Sequence, residues 1–237
     1  MESNPISAAE LDEQRQQVRY ITQNLEATYG IPRNARPQDP LDELILTVLS
    51  QSTSDTNSHR AFQSLKSRFP DWEAVRRARP TTIAAAIKSG GLANVKSVVI
   101  KKVLNEINQR RGDLDLSFLR KAPLAEAKDF LTSLRGIGPK TANCVLLFAC
   151  KRPVFPMDTH IFRITRRLGL VPQRGSDEQA HGLMGQLVPA GKHYSLHVNL
   201  IRHGRRVCRP QNPLCEQCCL IEYCQYGQAS VWSKKSF

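Results

Sequence analysis

Apolar residues recur at helical spacing almost from the start of this chain. Leu11, Val18, Ile21 and Leu25 share one face of a segment that Gly30 and Pro32 close. The same spacing predicts a buried helix over 42–49, an amphipathic one over 55–69 and a short alanine-rich one over 80–88. Another is predicted over 95–107, with Val98, Ile100, Val103 and Ile107 facing inward. Segments 124–134, 140–150, 159–168, 177–187 and 194–203 complete the set, and no stretch alternates as a strand would. Turn residues at Pro70, Pro80, Gly90-Gly91, Gly136, Pro153 and Gly169 leave mostly short connections. The expected architecture is therefore all-α, helix packed on helix. There is no repeat of fixed period, and the first ten and last six residues read as frayed ends.

Composition adds a size and a charge. At 237 residues and 41% apolar content, the chain holds a real core in one large domain or two small ones. Its longest apolar stretch, 142–150, is interrupted at Asn143 and is far too short to span a bilayer, so no membrane segment is expected. Lys and Arg number 34 against 21 Asp and Glu, for a net charge of +13. That balance favours a polyanionic partner, nucleic acid ahead of an anionic membrane surface, with charge for solubility alone as the bland alternative. The polar opening Met1-Glu-Ser-Asn-Pro lacks an apolar signal region, so a cytoplasmic, reducing location is expected.

Cysteines then change the picture. Five of the seven crowd near the C-terminus, and Cys208, Cys215, Cys218 and Cys224 carry the spacing Cys-x6-Cys-x2-Cys-x5-Cys. A reducing compartment argues against disulfides. Structural zinc usually takes two separate Cys-x2-Cys knuckles. One run with a single knuckle in its middle favours an iron–sulfur cluster, and zinc stays open as the rival. Cys219, beside Cys218, reads as a spectator thiol.

The segment Leu131-Thr-Ser-Leu-Arg-Gly-Ile-Gly-Pro-Lys-Thr-Ala-Asn ends one helix, turns at Gly136-Ile137-Gly138 and opens the next at Pro139. Glycine supplies the positive φ angles of such a turn, and proline suits the first helical position. Amides at the new N-terminus could receive a phosphate, although a plain αα-hairpin would look the same. Further on, Asp158 stands just ahead of a helix, where it reads first as an N-cap, and Lys140 reads first as a phosphate contact. Together they also suggest chemistry. A lysine beside the positive end of a helix is pushed toward its neutral form and can attack a sugar C1′. A carboxylate can then stabilise the charge that develops as a base departs.

In these motifs the chain resembles the endonuclease III branch of the helix-hairpin-helix DNA glycosylases, over roughly 39–225. The resemblance rests on Leu134-Arg-Gly-Ile-Gly-Pro-Lys-Thr-Ala-Asn, Met157-Asp-Thr-His-Ile, His203-Gly-Arg-Arg-Val-Cys and the 6-2-5 cysteine spacing. It implies that Lys140 is a Schiff-base nucleophile and Asp158 the catalytic carboxylate. Cys208, Cys215, Cys218 and Cys224 would hold a [4Fe–4S] cluster with a structural rather than catalytic role. It also implies two helical domains with bent DNA in the cleft between them. One is a six-helix barrel, 33–152, with its hairpin at about 124–150; the other joins 1–32 to 153–237, with the cluster loop at 208–224.

Such enzymes flip the damaged nucleotide out and fill the hole with side chains. The family uses a glutamine after the first barrel helix, but gap-free alignment of Leu49-Ser-Gln-Ser-Thr-Ser-Asp puts Ser52 there, with Gln51 one residue away. Leu92 matches a second inserted residue. Gly136, Gly138, Lys140, Gln51, Ser52, Leu92, Arg205 and Arg206 are thus the expected DNA contacts. Arg163, Arg166 and Arg209 are either further phosphate contacts or solvated faces, and His160 reads as a hydrogen-bonded packing residue.

The resulting expectation is a monomeric bifunctional DNA glycosylase and AP lyase. It would remove oxidised pyrimidines such as thymine glycol from duplex DNA and cut the abasic site by β-elimination. The alternatives are a monofunctional or narrowly specialised mismatch or adenine glycosylase, and a catalytically weak cluster-bearing DNA-binding paralogue.

Overall fold

The structure is a computed structural model that describes residues 7–34, 39–173 and 176–235, with the backbone alone for 232–235. Among them every regular element is helical, in keeping with the all-α expectation. The helices are α1 (Ala8–Tyr29), α2 (Pro40–Ser50), α3 (Asp55–Arg68), α4 (Trp72–Arg77), α5 (Pro80–Ala86) and α6 (Ala93–Arg111). They continue with α7 (Leu124–Thr132), α8 (Pro139–Cys144), α9 (Thr159–Arg167), α10 (Asp177–Leu187), α11 (His193–Arg206) and α12 (Gln225–Lys235). Single 3-10 turns lie at Lys88–Gly90, Ser117–Arg120, Cys215–Gln217 and Ile221–Tyr223. None of these helices is long and apolar enough to cross a membrane. The chain divides into two compact units, Ala35–Arg152 and Met1–Asn34 with Pro153–Phe237.

In the unit Ala35–Arg152, α2 is the axis. Asp39 caps it, accepting from Leu41 N and Asp42 N at 2.9 Å each, and Pro40 stands where no amide is needed. Apolar side chains cover its circumference, so it is buried on all sides by α3, α6 and α8. Glu43, the fully buried carboxylate of α2, accepts from Thr47 Oγ1 at 2.9 Å, the partner a buried acid requires.

Several expectations need correction. Val98 is 40% exposed, because it stands roughly 200° round α6 from the buried Lys96 and Ile100. The true inward face is Lys96, Ile100, Val103, Leu104 and Ile107. Segment 140–150 is not one regular helix: α8 ends at Cys144 and the backbone widens over Val145–Ala149, where Cys150 N reaches Val145 O at 3.2 Å. The N-terminal residues described here are not frayed. Ser7 and Glu10 form a capping box that starts α1, while residues 1–6 lie outside the described residues. At the other end α12 runs to Lys235, and 236–237 lie outside.

The unit containing both termini is centred on α1, α9, α10 and α11. Val18, Ile21 and Leu25 of α1 meet Ile161, Ile164, Met184, Leu187, Leu196 and Leu200 in one apolar cluster. Glu26 pins the start of α11, taking Lys192 Nζ at 2.8 Å and Ser195 Oγ at 2.6 Å. Burial pushes its carboxyl up, but these bonds outweigh that and hold it below the ordinary value. Helices α9 and α11 touch at Gly204, where an added Cβ would stand 2.9 Å from His160 Cβ.

Candidate active site and cysteine cavity

The hairpin between α7 and α8 is built by its two glycines in different ways. Gly136 has φ +89, a conformation that L side chains avoid, and a Cβ there would meet Val99 Cγ1 at 3.0 Å. Ile137 then turns inward as its amide donates to Leu134 O at 3.0 Å. Gly138 has φ −95 and ψ 176, so positive φ is required at Gly136 alone. Gly138 instead caps α8 without a side chain, and nothing lies within 4 Å of its missing Cβ. Pro139 and Lys140 follow, and the first helical bond is Ala142 N to Gly138 O at 3.0 Å. Lys140, half-buried, therefore stands beside amides that carry the positive end of a short helix dipole.

Asp158 belongs to the other unit. It follows the buried run 154–157 and is indeed the N-cap of α9, accepting from Ile161 N through Oδ1 at 2.8 Å. His160, two residues on, shares a 3.0 Å hydrogen bond with Arg163 Nη2 and packs against Gly204, the packing role expected of it. Arg163 is not a solvated face. Its guanidinium donates to Cys208 O and Gly204 O at 3.0 Å each, and Arg166 lies over Phe162 at 5.2 Å. Arg205 and Arg206 end α11 exposed, with Arg206 5.9 Å from the Tyr29 ring. Arg209 is exposed but folds back, donating through Nε to Arg206 O at 3.2 Å.

The expected insertion residues lie on two tips of the unit Ala35–Arg152. Gln51 closes α2 and is exposed; Ser52 follows it with φ +52. Leu92 precedes α6 with φ +49 and is 58% exposed.

All four cysteines of the 6-2-5 run line one partly open cavity, walled by Val207, Pro213, Leu214 and Ile221. Among the described residues no three His, Cys, Asp or Glu side chains converge as donors to a single metal ion. Four thiols lining one cavity are a donor set of the kind an iron–sulfur group takes. Burial pushes the Cys218 thiol up to about 12, so a cationic group is needed to hold it as thiolate. Cys219 is partly buried against the core and does not line the cavity.

Comparison with known proteins decides the family. Residues 45–190 match the HhH-GPD superfamily base excision DNA repair protein profile. This chain belongs to that family. It is a DNA-binding DNA glycosylase by that membership, and it is 33% identical over 195 residues to the endonuclease III of Thermotoga maritima, covering 82% of this chain and 87% of that protein. A protein of Arabidopsis thaliana provisionally named a DNA glycosylase is 41% identical over 165 residues, 70% of this chain; the match spans only 56% of that relative's length. Solved endonuclease III–DNA complexes, one non-covalent and one a trapped covalent intermediate, each give a TM-score of 0.77 at 25% identity, over 92% of this chain and 98% of theirs.

In this HhH-GPD protein the rim of the cysteine cavity carries a residue that sequence reasoning missed. Arg167 donates to Cys208 Sγ at 3.2 Å, Arg209 O at 2.8 Å and Pro210 O at 3.0 Å, and lies 4.4 Å from the Tyr226 ring. Its only sequence signal is the helical spacing from Arg163, which puts both guanidinia on one side of α9. His203 carries no signal in the sequence beyond its place in the motif His203-Gly-Arg-Arg-Val-Cys. Burial lowers it to about 4, and the neutral ring bridges the Tyr29 hydroxyl at 3.0 Å and Cys218 Sγ at 3.4 Å.

Proposed function

We propose that this glycosylase is a bifunctional DNA glycosylase and AP lyase acting on oxidised pyrimidines in double-stranded DNA. The observation that carries the lyase half is Lys140, half-buried at the second position of α8, beyond an uncapped Gly-Ile-Gly turn. In this reading the turn amides of Gly136 and Gly138 face a phosphate, and Lys140 Nζ attacks C1′ of the flipped nucleotide. The base leaves with the glycosidic electron pair, the sugar ring opens to an imine on Nζ, and loss of the C2′ proton expels the 3′ phosphate. Asp158 supplies the negative charge that the sugar needs as the base departs.

The two units serve as the two helical domains, with Arg205 and Arg206 on the phosphate backbone and the protein a monomer. Cys208, Cys215, Cys218 and Cys224 would hold a [4Fe–4S] cluster, which would brace the loop 208–224 and supply no chemistry to the reaction. The similarity to endonuclease III, one relative of which was solved as a trapped covalent DNA intermediate, supports this reading.

The test is borohydride trapping on duplexes carrying either an abasic site or thymine glycol, comparing wild type with Lys140→Ala. Trapping on both duplexes, lost in the variant, is the expected result. Trapping on the abasic site alone would move the base specificity elsewhere, and none on either would exclude lyase action.

A further inference from the structure

Lys96 occupies a position on α6 that helical spacing reserves for an apolar side chain, and it is 2% exposed. Its ammonium donates to Leu49 O at 2.7 Å and to Gly90 O at 2.8 Å. These carbonyls belong to different segments. Leu49 is in the last turn of α2, three residues before Ser52, and Gly90 ends a 3-10 turn two residues before Leu92. One buried charge thus joins the feet of the two tips that carry Gln51, Ser52 and Leu92. Close packing reinforces the joint, since a Cβ on Gly90 would stand 3.1 Å from Ala61 Cβ and 3.9 Å from Leu49 O.

Both tips also share an unusual backbone. Ser52 and Leu92 are left-handed, a state unfavourable for residues with side chains unless the surroundings impose it. Burying an ammonium is itself unfavourable and holds Lys96 below its ordinary value, so apolar packing alone would not choose this residue. What lysine supplies and methionine cannot is a donor for two carbonyls at once.

We propose that Lys96 is a positioning residue that fixes the Gln51-Ser52 tip and the Leu92 tip as one two-pronged insert, so that both enter the base stack together when duplex DNA is opened. The inference rests on the DNA-opening reading above. Tips already fixed in the free protein lose little conformational freedom on insertion, whereas tips released from each other must be ordered separately.

The test uses Lys96→Met on an abasic site in duplex DNA and on the same strand alone, which has no stack to fill. The expected result is a roughly tenfold or greater fall in kcat/KM on the duplex with a change under about twofold on the single strand. Equal losses on both, or none on the duplex, would overturn the proposal. If Lys96→Met does not fold, a double-mutant cycle of Ser52→Gly and Leu92→Gly in the otherwise native chain decides it. Two prongs of one insert give non-additive losses on the duplex; additive losses overturn the idea. A wild type that cleaves neither DNA removes the lyase reading instead. Affinities for intact duplex and for duplex with a tetrahydrofuran abasic analogue then decide, and the preference must fall roughly tenfold in Lys96→Met. An unchanged preference overturns it.

Discussion

Gly204→Ala sets two opposed effects against each other at the contact between α9 and α11. Inside an exposed helix, alanine is favoured over glycine by about 1 kcal/mol. Here the new Cβ would stand 2.9 Å from His160 Cβ, 3.1 Å from His160 Nδ1 and 3.2 Å from Arg163 Nη2. Carbon atoms rest at about 3.5–4.0 Å, and His160 Cβ is one bond from the α9 backbone, so no rotamer change relieves the contact. The helices must part by several tenths of an ångström. Overpacking of this kind costs about 1–3 kcal/mol. Parting also stretches the bond from Arg163 to Gly204 O, at about 1 kcal/mol. The helical gain and the lost bond roughly cancel, leaving a net loss of about 1–3 kcal/mol, or a fall in Tm of about 2–12 °C for a chain of this size. Thermal melting followed by circular dichroism measures it. Because Arg163 also holds Cys208 O, visible absorbance of any bound cluster should fade earlier in the same melt. An alanine variant that melts at or above the wild type would refute the packing argument.

Asp158→Asn separates the two duties of that residue: asparagine caps as well as aspartate, so stability should stay within about 1 kcal/mol while base excision falls at least roughly 100-fold. Arg167→Met removes donors to Cys208 Sγ, Arg209 O and Pro210 O, and should speed release of iron to a chelator while lowering stability by about 1–2 kcal/mol. Cys218→Ser should lose bound iron and Cys219→Ser keep it, as measured by iron content and visible absorbance, since only the first lines the cavity. Glu73 is held down to about 2, first by its hydrogen bond to Arg76. A depressed carboxylate stabilises the fold above its unfolded pKa, and that contribution fades as pH falls toward the folded value. Urea unfolding should therefore show wild type and Glu73→Gln converging between about pH 5 and about pH 2.

The helical architecture was legible because apolar spacing reports which face is buried, and α2, the hairpin and α9 all obey it. What the spacing could not report is where a charged side chain ends. Lys96, Arg163 and Arg167 look like surface residues in a basic chain, yet each reaches backbone carbonyls that only the fold brings near. Gly204 was silent for a related reason, because its value lies in a neighbour 44 residues away in sequence, His160. Short α4 rests on its Asp71 cap, with Ala74 N to Oδ1 at 2.7 Å, rather than on a long apolar stripe. In α12 the apolar and polar residues do not segregate. The cysteine run was legible as a ligand set, whereas its apolar walls and its guanidinium rim needed the fold.

Asp158 shows why structural and chemical readings of one residue need not compete. Its bond to Ile161 N uses one oxygen and fixes the carboxylate against α9. A carboxylate has two oxygens with about four lone-pair sites between them, so a cap does not exhaust it. Capping also removes rotamer freedom in advance, which would otherwise have to be lost when the sugar arrives. On this argument Asp158→Ser, which caps without a charge, should fold as well as Asp158→Asn and be equally inactive. A serine variant that retained base excision would show that the cap geometry, and not the carboxylate, is what the reaction uses.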